Sequence, residues 1–186
     1  HQEGTEILYH HLTAPQFTWT VEGLLSDIDQ LEAGDAVLLC NPNNPTGSLV
    51  PVGHLLELGK RLLEQNIHFI LDEAFIDFLE DEKEVSFVPY LGDFANAIVV
   101  RSLTKFYAIP GLRLGYALGI HPCLAKMNER RAPWTINALA LQALPVIFKD
   151  RDYQTQTLKW LQKEKDFLYQ SLETFSALRV LKPSVN

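Results

Sequence analysis

Three short apolar runs constrain this chain more than any other feature: "AVLLC" at 36–40, "IHFIL" at 67–71 and "AIVV" at 97–100. A continuous apolar run of four or five residues is the signature of a strand covered on both faces, as in parallel sheets. Between the first two, Pro51 suits the first turn of a helix, and Val52, Leu55, Leu56, Leu62 and Leu63 give that helix an apolar stripe. "VEGLLSDIDQL" and "CLAKMNERRA" read as helices, "RLGYALGI" as a further strand, and "EILYHHL" and "FTWT" as extended segments. Strand, helix and strand repeated in this way predict an α/β fold, a mostly parallel sheet flanked by helices.

After "PWTIN" the character changes. Residues 137–176 are helical by period, with Leu158, Leu161, Leu168, Leu172 and Phe175 on one face of a long helix. A domain boundary is therefore expected inside that stretch. The chain opens on His1 without a methionine and stops just after "ALRVL", so it reads as a piece of a longer protein.

In open parallel sheets, ligands sit at the carboxyl ends of the strands. After "AVLLC" comes Asn44, after "IHFIL" comes Asp72, and after "AIVV" come Ser102 and Lys105. Eight residues beyond Lys105 stands Arg113, in a stretch from 99 to 119 that holds no acidic residue. A lysine in apolar company can have its pKa lowered by desolvation and become a nucleophile towards carbonyl carbon. Pyridoxal phosphate would use the rest of the set. Its ring nitrogen needs a carboxylate such as Asp72 to stay protonated. Its ring hydroxyl suits the Asn44 amide, and its phosphate suits the Arg113 guanidinium and the Ser102 hydroxyl.

"NPNNPTG", "LDEAFIDF" and "RSLTKFYAIPGLRLGY", in that order and spacing, resemble the class I/II aminotransferase superfamily of pyridoxal-phosphate enzymes, fold type I. The resemblance covers nearly the whole chain, as the middle of a subunit roughly twice as long. It implies Lys105 as the Schiff-base lysine, Asp72 as the pyridine partner, Asn44 as the ring-hydroxyl ligand, and Ser102 and Arg113 as phosphate ligands. Residues 1–145 then belong to the large cofactor-binding domain and 146–186 lead into the small C-terminal one. Phe75 stands where many members have a tyrosine that bonds the ring oxygen, which implies an imine that holds its proton more tightly.

Within the superfamily, "RSLTKFYAIPGLRLGY" and "APWTINALA" look most like threonine-phosphate decarboxylases, and next like histidinol-phosphate aminotransferases. The latter usually carry a more Gly-rich segment after the lysine and a tyrosine where Trp134 stands. The resemblance implies O-phospho-L-threonine as substrate, (R)-1-amino-2-propanol O-2-phosphate as product, cobalamin synthesis as the setting, and a homodimer. A phosphate-substrate aminotransferase, or a cofactor-binding regulatory module of this fold, is the alternative. The isolated piece is expected to be inactive.

Blander readings stand beside these. Lys105 alone would be a surface lysine, Asp72 a turn or helix cap, and Pro42, Pro45 and Gly47 simply turn formers. Ser102-x-x-Lys105 lacks the KTG partner of the penicillin-binding motif, and no GxGxxG or P-loop pattern occurs. Gly111, Gly115 and Gly119 mimic a membrane-helix motif, but Arg113 and the alternation favour a strand. Sixteen basic against twenty-three acidic residues leave a net charge of −7 without a basic run, which argues against nucleic acid and anionic membranes as partners. Cys40 and Cys123 suit a reducing cytoplasm, the six histidines lack metal-ligand spacing, and no run of about 18 apolar residues marks a span.

Overall fold

The structure is a computed structural model describing residue 4 and residues 6–185, the side chains of residues 82 and 83 excepted. Thr20 starts α1 (Val21–Ile28), its hydroxyl accepting the Gly23 N–H at 3.1 Å. β1 (Ala36–Cys40) and α2 (Val52–Glu64) follow, with Pro51 just ahead of the first turn rather than inside it. Then come β2 (His68–Asp72), the short α3 (Glu82–Val85), β3 (Ala97–Ser102) and β4 (Gly115–Leu118). Three helices complete the chain: α4 (Pro122–Glu129), α5 (Ala138–Ile147) and α6 (Arg151–Glu173). "EILYHHL" and "FTWT" lie outside the sheet.

The strands form one sheet in the order β1-β2-β3-β4. β1, β2 and β3 are parallel, so Cys40, Asp72 and Val100 stand side by side at their carboxyl ends. β4 returns antiparallel to β3, pairing Ser102 with Gly115 and Val99 with Leu118. The close pairing needs a glycine: a Cβ at Gly115 would lie 2.7 Å from the Arg101 carbonyl oxygen.

One face of the sheet carries the core. Val37, Leu39, Phe69, Leu71, Ala97 and Val99 alternate onto that face and pack with Leu24, Ile28, Leu55, Leu58 and Leu62 of α1 and α2. Leu55 and Leu62 belong to the stripe read from the sequence, and Leu58 completes it. The other face corrects the expectation of strands covered on both sides. On it Leu38 is 62% exposed and Val100 37% exposed, while Ile98 is buried, so the cover is partial.

A smaller cluster docks α5 onto the segment between β3 and β4. Leu103, Leu114 and the fully buried Ala140 form its centre, with Tyr107, Leu112 and Leu144 around them. Asn137 caps α5 by accepting the Ala140 N–H at 2.8 Å, and its amide donates to the Leu112 carbonyl at 3.0 Å. Of the apolar stripe read from the sequence, Leu161 is buried, Leu158 and Leu172 are half-buried, and Leu168 and, beyond the end of α6, Phe175 are exposed. No helix among the described residues is long and apolar enough to cross a membrane.

Candidate functional site

The carboxyl ends of β1, β2 and β3 and the start of β4 form one rim. Asp72 ends β2 and Ser102 ends β3; since Asp72 pairs with Val100, alternation puts Asp72 and Ser102 on the same, open face. Asn44 lies four residues past β1, and Lys105 three past β3. Because β4 runs backwards, Arg113 reaches this rim too: Leu103 N–H donates to the Leu114 carbonyl at 3.1 Å, extending the ladder towards it. All five residues expected from the sequence therefore lie at one edge of the sheet, as strand-end residues of an α/β sheet must.

Each is held locally. The Asp72 Oδ1 atom accepts the Ala74 N–H at 2.9 Å, and burial followed by the Asp72 charge pushes the thiol of neighbouring Cys40 above its ordinary pKa. Ser102 Oγ and Thr104 Oγ1 share a hydrogen bond of 2.7 Å. Arg113 has left-handed backbone (φ 51°), and its Nη1 donates to the Pro110 carbonyl at 3.2 Å. Lys105 sits at the start of a turn, its carbonyl accepting the Ala108 N–H at 3.1 Å. Here a correction is needed: Lys105 is exposed between buried Thr104 and Phe106, so the described residues do not desolvate it as the sequence suggested.

The loop after β1 is pinned by its other asparagines. Asn41 is buried and bonds Val50 twice, through its amide to the carbonyl at 3.1 Å and from the N–H at 2.8 Å. Asn43 donates to Thr46 Oγ1 at 2.7 Å. Asn44 is left exposed beside a recess of about 170 Å³, lined also by Asn43, Pro45, Gly47, Phe75 and Val185. Phe75 and Asn44 thus border the same space.

Beneath the rim lies a buried cluster that motif reasoning missed. Arg101 donates to Glu73 Oε2 from Nε at 3.0 Å and from Nη2 at 2.9 Å, and to Ser86 Oγ at 2.8 Å. Asp77 stands 3.7 Å from Arg101 Nη1, and Glu73 Oε1 accepts the Phe87 N–H at 2.8 Å. Burial pushes the Glu73 pKa above the ordinary glutamate value, against the pull of the Phe87 N–H, Arg101 and Ser86. The available signal was a second carboxylate beside Asp72 in "LDEAF" and an arginine inside "VVRSL", both at strand ends. Among the described residues, no group of three or more His, Cys, Asp or Glu could hold a metal ion.

This chain is similar to known proteins over most of its length. It is 45% identical over 154 residues to the threonine-phosphate decarboxylase of Salmonella typhimurium, covering 82% of this chain and 42% of that one. The histidinol-phosphate aminotransferase structure from Clostridium acetobutylicum superposes with a TM-score of 0.89 at 31% identity, over 98% of this chain and 54% of that one. The Sinorhizobium meliloti histidinol-phosphate aminotransferase, solved in complex with pyridoxal-5′-phosphate, gives 0.78 at 26% identity, over 89% and 44%. The chain thus spans about half the length of these relatives. The profile of the family "Aminotransferase class I and II" matches residues 2–186, and the chain belongs to that family.

Proposed function

We propose that this chain is part of a pyridoxal-phosphate enzyme that decarboxylates O-phospho-L-threonine to (R)-1-amino-2-propanol O-2-phosphate, a step of cobalamin biosynthesis. The observation that carries the reading is the shared rim: an amide, a carboxylate, a hydroxyl, an amine and a guanidinium at one sheet edge. That donor set fits the cofactor. Lys105 Nζ would bond its aldehyde carbon, Asp72 would keep its ring nitrogen protonated, and Asn44 would donate to its ring hydroxyl. Ser102 and Arg113 would hold its phosphate. When bound, pyridoxal phosphate supplies a sink for the electrons of a bond broken at the substrate Cα.

The protein's part is to place charge and select the bond. Asp72 is paired on both sides through its backbone, and its carboxylate is held by the Ala74 N–H at 2.9 Å. Whether the bond to carboxylate or the bond to hydrogen breaks depends on how substrate anchors turn Cα. The 45% identity to the Salmonella decarboxylase supports the first outcome. The 0.89 superposition on a histidinol-phosphate aminotransferase supports the second reading, transamination of a phosphorylated substrate.

With this reading we propose the homodimer, and the division into a large domain over 1–145 and a segment over 146–186 leading into a small one. The test uses full-length protein loaded with pyridoxal phosphate. Carbon dioxide release from O-phospho-L-threonine, without consumption of a 2-oxo acid, is the expected result. Amino transfer from histidinol phosphate to a 2-oxo acid, with no carbon dioxide released, would replace the first reading by the second.

A further inference from the structure

The pairing of Asp72 with Val100 sets Glu73 across from Arg101 one step further along β2 and β3. Alternation then gives each strand end two faces. On the open face stand Asp72 and Ser102; on the covered face, directly behind them, stand Glu73 and Arg101. Each member of the buried pair is thus the chain neighbour of a rim residue. Glu73 N–H also donates to the Val100 carbonyl at 2.8 Å, so the backbone between the strands is tied at the same level.

We propose that the Glu73–Arg101 ion pair is a positioning clamp that fixes the separation between Asp72 and Ser102. Two bonds converge from Arg101 onto one carboxylate oxygen, which restrains both distance and direction. Ser86 closes the arrangement: Arg101 Nη2 donates to its Oγ at 2.8 Å, and that hydroxyl faces Glu73 Oε2 at 2.9 Å. A buried pair of this kind adds little net stability over well-packed apolar residues, so its placement needs another reason. Here the reason is geometric. A ligand that touches Asp72 with its ring nitrogen and Ser102 with its phosphate needs those two groups at a set span, and the clamp sets it.

This rests on the reading given under Proposed function, and the experiment separates the two. Full-length wild type is titrated with pyridoxal phosphate and with pyridoxal, which lacks the phosphate, and binding is followed by absorbance. Arg101→Lys keeps the charge but loses the fork, and Glu73→Leu/Arg101→Met replaces the pair by apolar side chains. Both variants are expected to bind pyridoxal phosphate about tenfold more weakly, the size usual when a ligand's supporting partner is removed. Pyridoxal, which would meet Asp72 but not Ser102, does not span the clamped pair and should change by less than about twofold, so the preference for the phosphorylated form shrinks. An unchanged preference, or equal losses for both ligands, overturns the clamp. Failure of both variants to fold would show that the pair holds the fold rather than the site, and overturns it as well. Failure of the wild type to bind pyridoxal phosphate would instead overturn the functional reading itself.

Discussion

The phenol of Tyr153 donates a 3.0 Å hydrogen bond to the carbonyl of Phe106, the residue after Lys105. It ties α6 to the turn that carries the proposed cofactor lysine. The Tyr153 ring also lies against the rings of Phe106 and Tyr107. Tyr153→Phe keeps those contacts and removes the one bond. It should destabilise the protein by about 1 kcal/mol, read as a lower denaturant midpoint at constant slope.

Lys105→Ala separates chemistry from folding. Lys105 is exposed, so its loss should leave the melting temperature within a degree or two. Borohydride reduction of the full-length variant with pyridoxal phosphate should no longer label the peptide that contains position 105. Labelling at an unchanged level would place the attachment elsewhere.

Phe75 borders the same recess as Asn44, and a phenol there would offer a donor to the ring oxygen. Phe75→Tyr should therefore favour the deprotonated form of the lysine-bound cofactor. A pH titration of its visible absorbance should show a lower midpoint than wild type. An unmoved midpoint would mean that the new hydroxyl does not reach that oxygen.

Gly115 permits the close approach of β4 to β3. A methyl group there would meet the Arg101 carbonyl at 2.7 Å, and backbone cannot yield as a side-chain tip can. Gly115→Ala should cost about 1–3 kcal/mol, the usual range for an overpacked site. Since Arg113 precedes this point by two residues, binding of pyridoxal phosphate should weaken alongside melting.

His121 links acidity to stability. Its Nδ1 accepts the Cys123 N–H at 3.0 Å, so the ring proton sits on Nε2, which donates to His68 Nδ1 at 2.8 Å. Burial first, then His68, holds the His121 pKa below the ordinary histidine value. With the folded value depressed, the unfolded chain binds more protons below about pH 6.5. The contribution is therefore present above that pH and is lost on acidification. His121→Asn, which can still cap α4, should flatten the fall in melting temperature between neutral and mildly acidic buffer.

The order of strands and helices was legible because continuous apolar runs and a 3.6-residue stripe report burial directly. Asn44, Asp72, Ser102 and Lys105 were legible because each ends or follows a recognisable strand; Arg113 stands two residues ahead of β4 and was read from its place in a stretch without acidic residues. The covered side of the sheet was not. "AVLLC" has the same composition whether Leu38 meets a helix or water, and local pattern carries no information about which layer is present. Glu73 and Arg101 escaped for a related reason. Two opposite charges 28 residues apart become partners only once the register of β2 and β3 is known. The exposure of Lys105 depends on a turn whose shape no composition rule dictates.

The half-clad sheet has a practical consequence. With Leu38 and Val100 facing water, these 186 residues handled by themselves present an adhesive plane to one another. Solubility, not misfolding, should then limit work with them: sulfate should bring them out of solution early, and a dye that fluoresces in oily surroundings should light up on the native state.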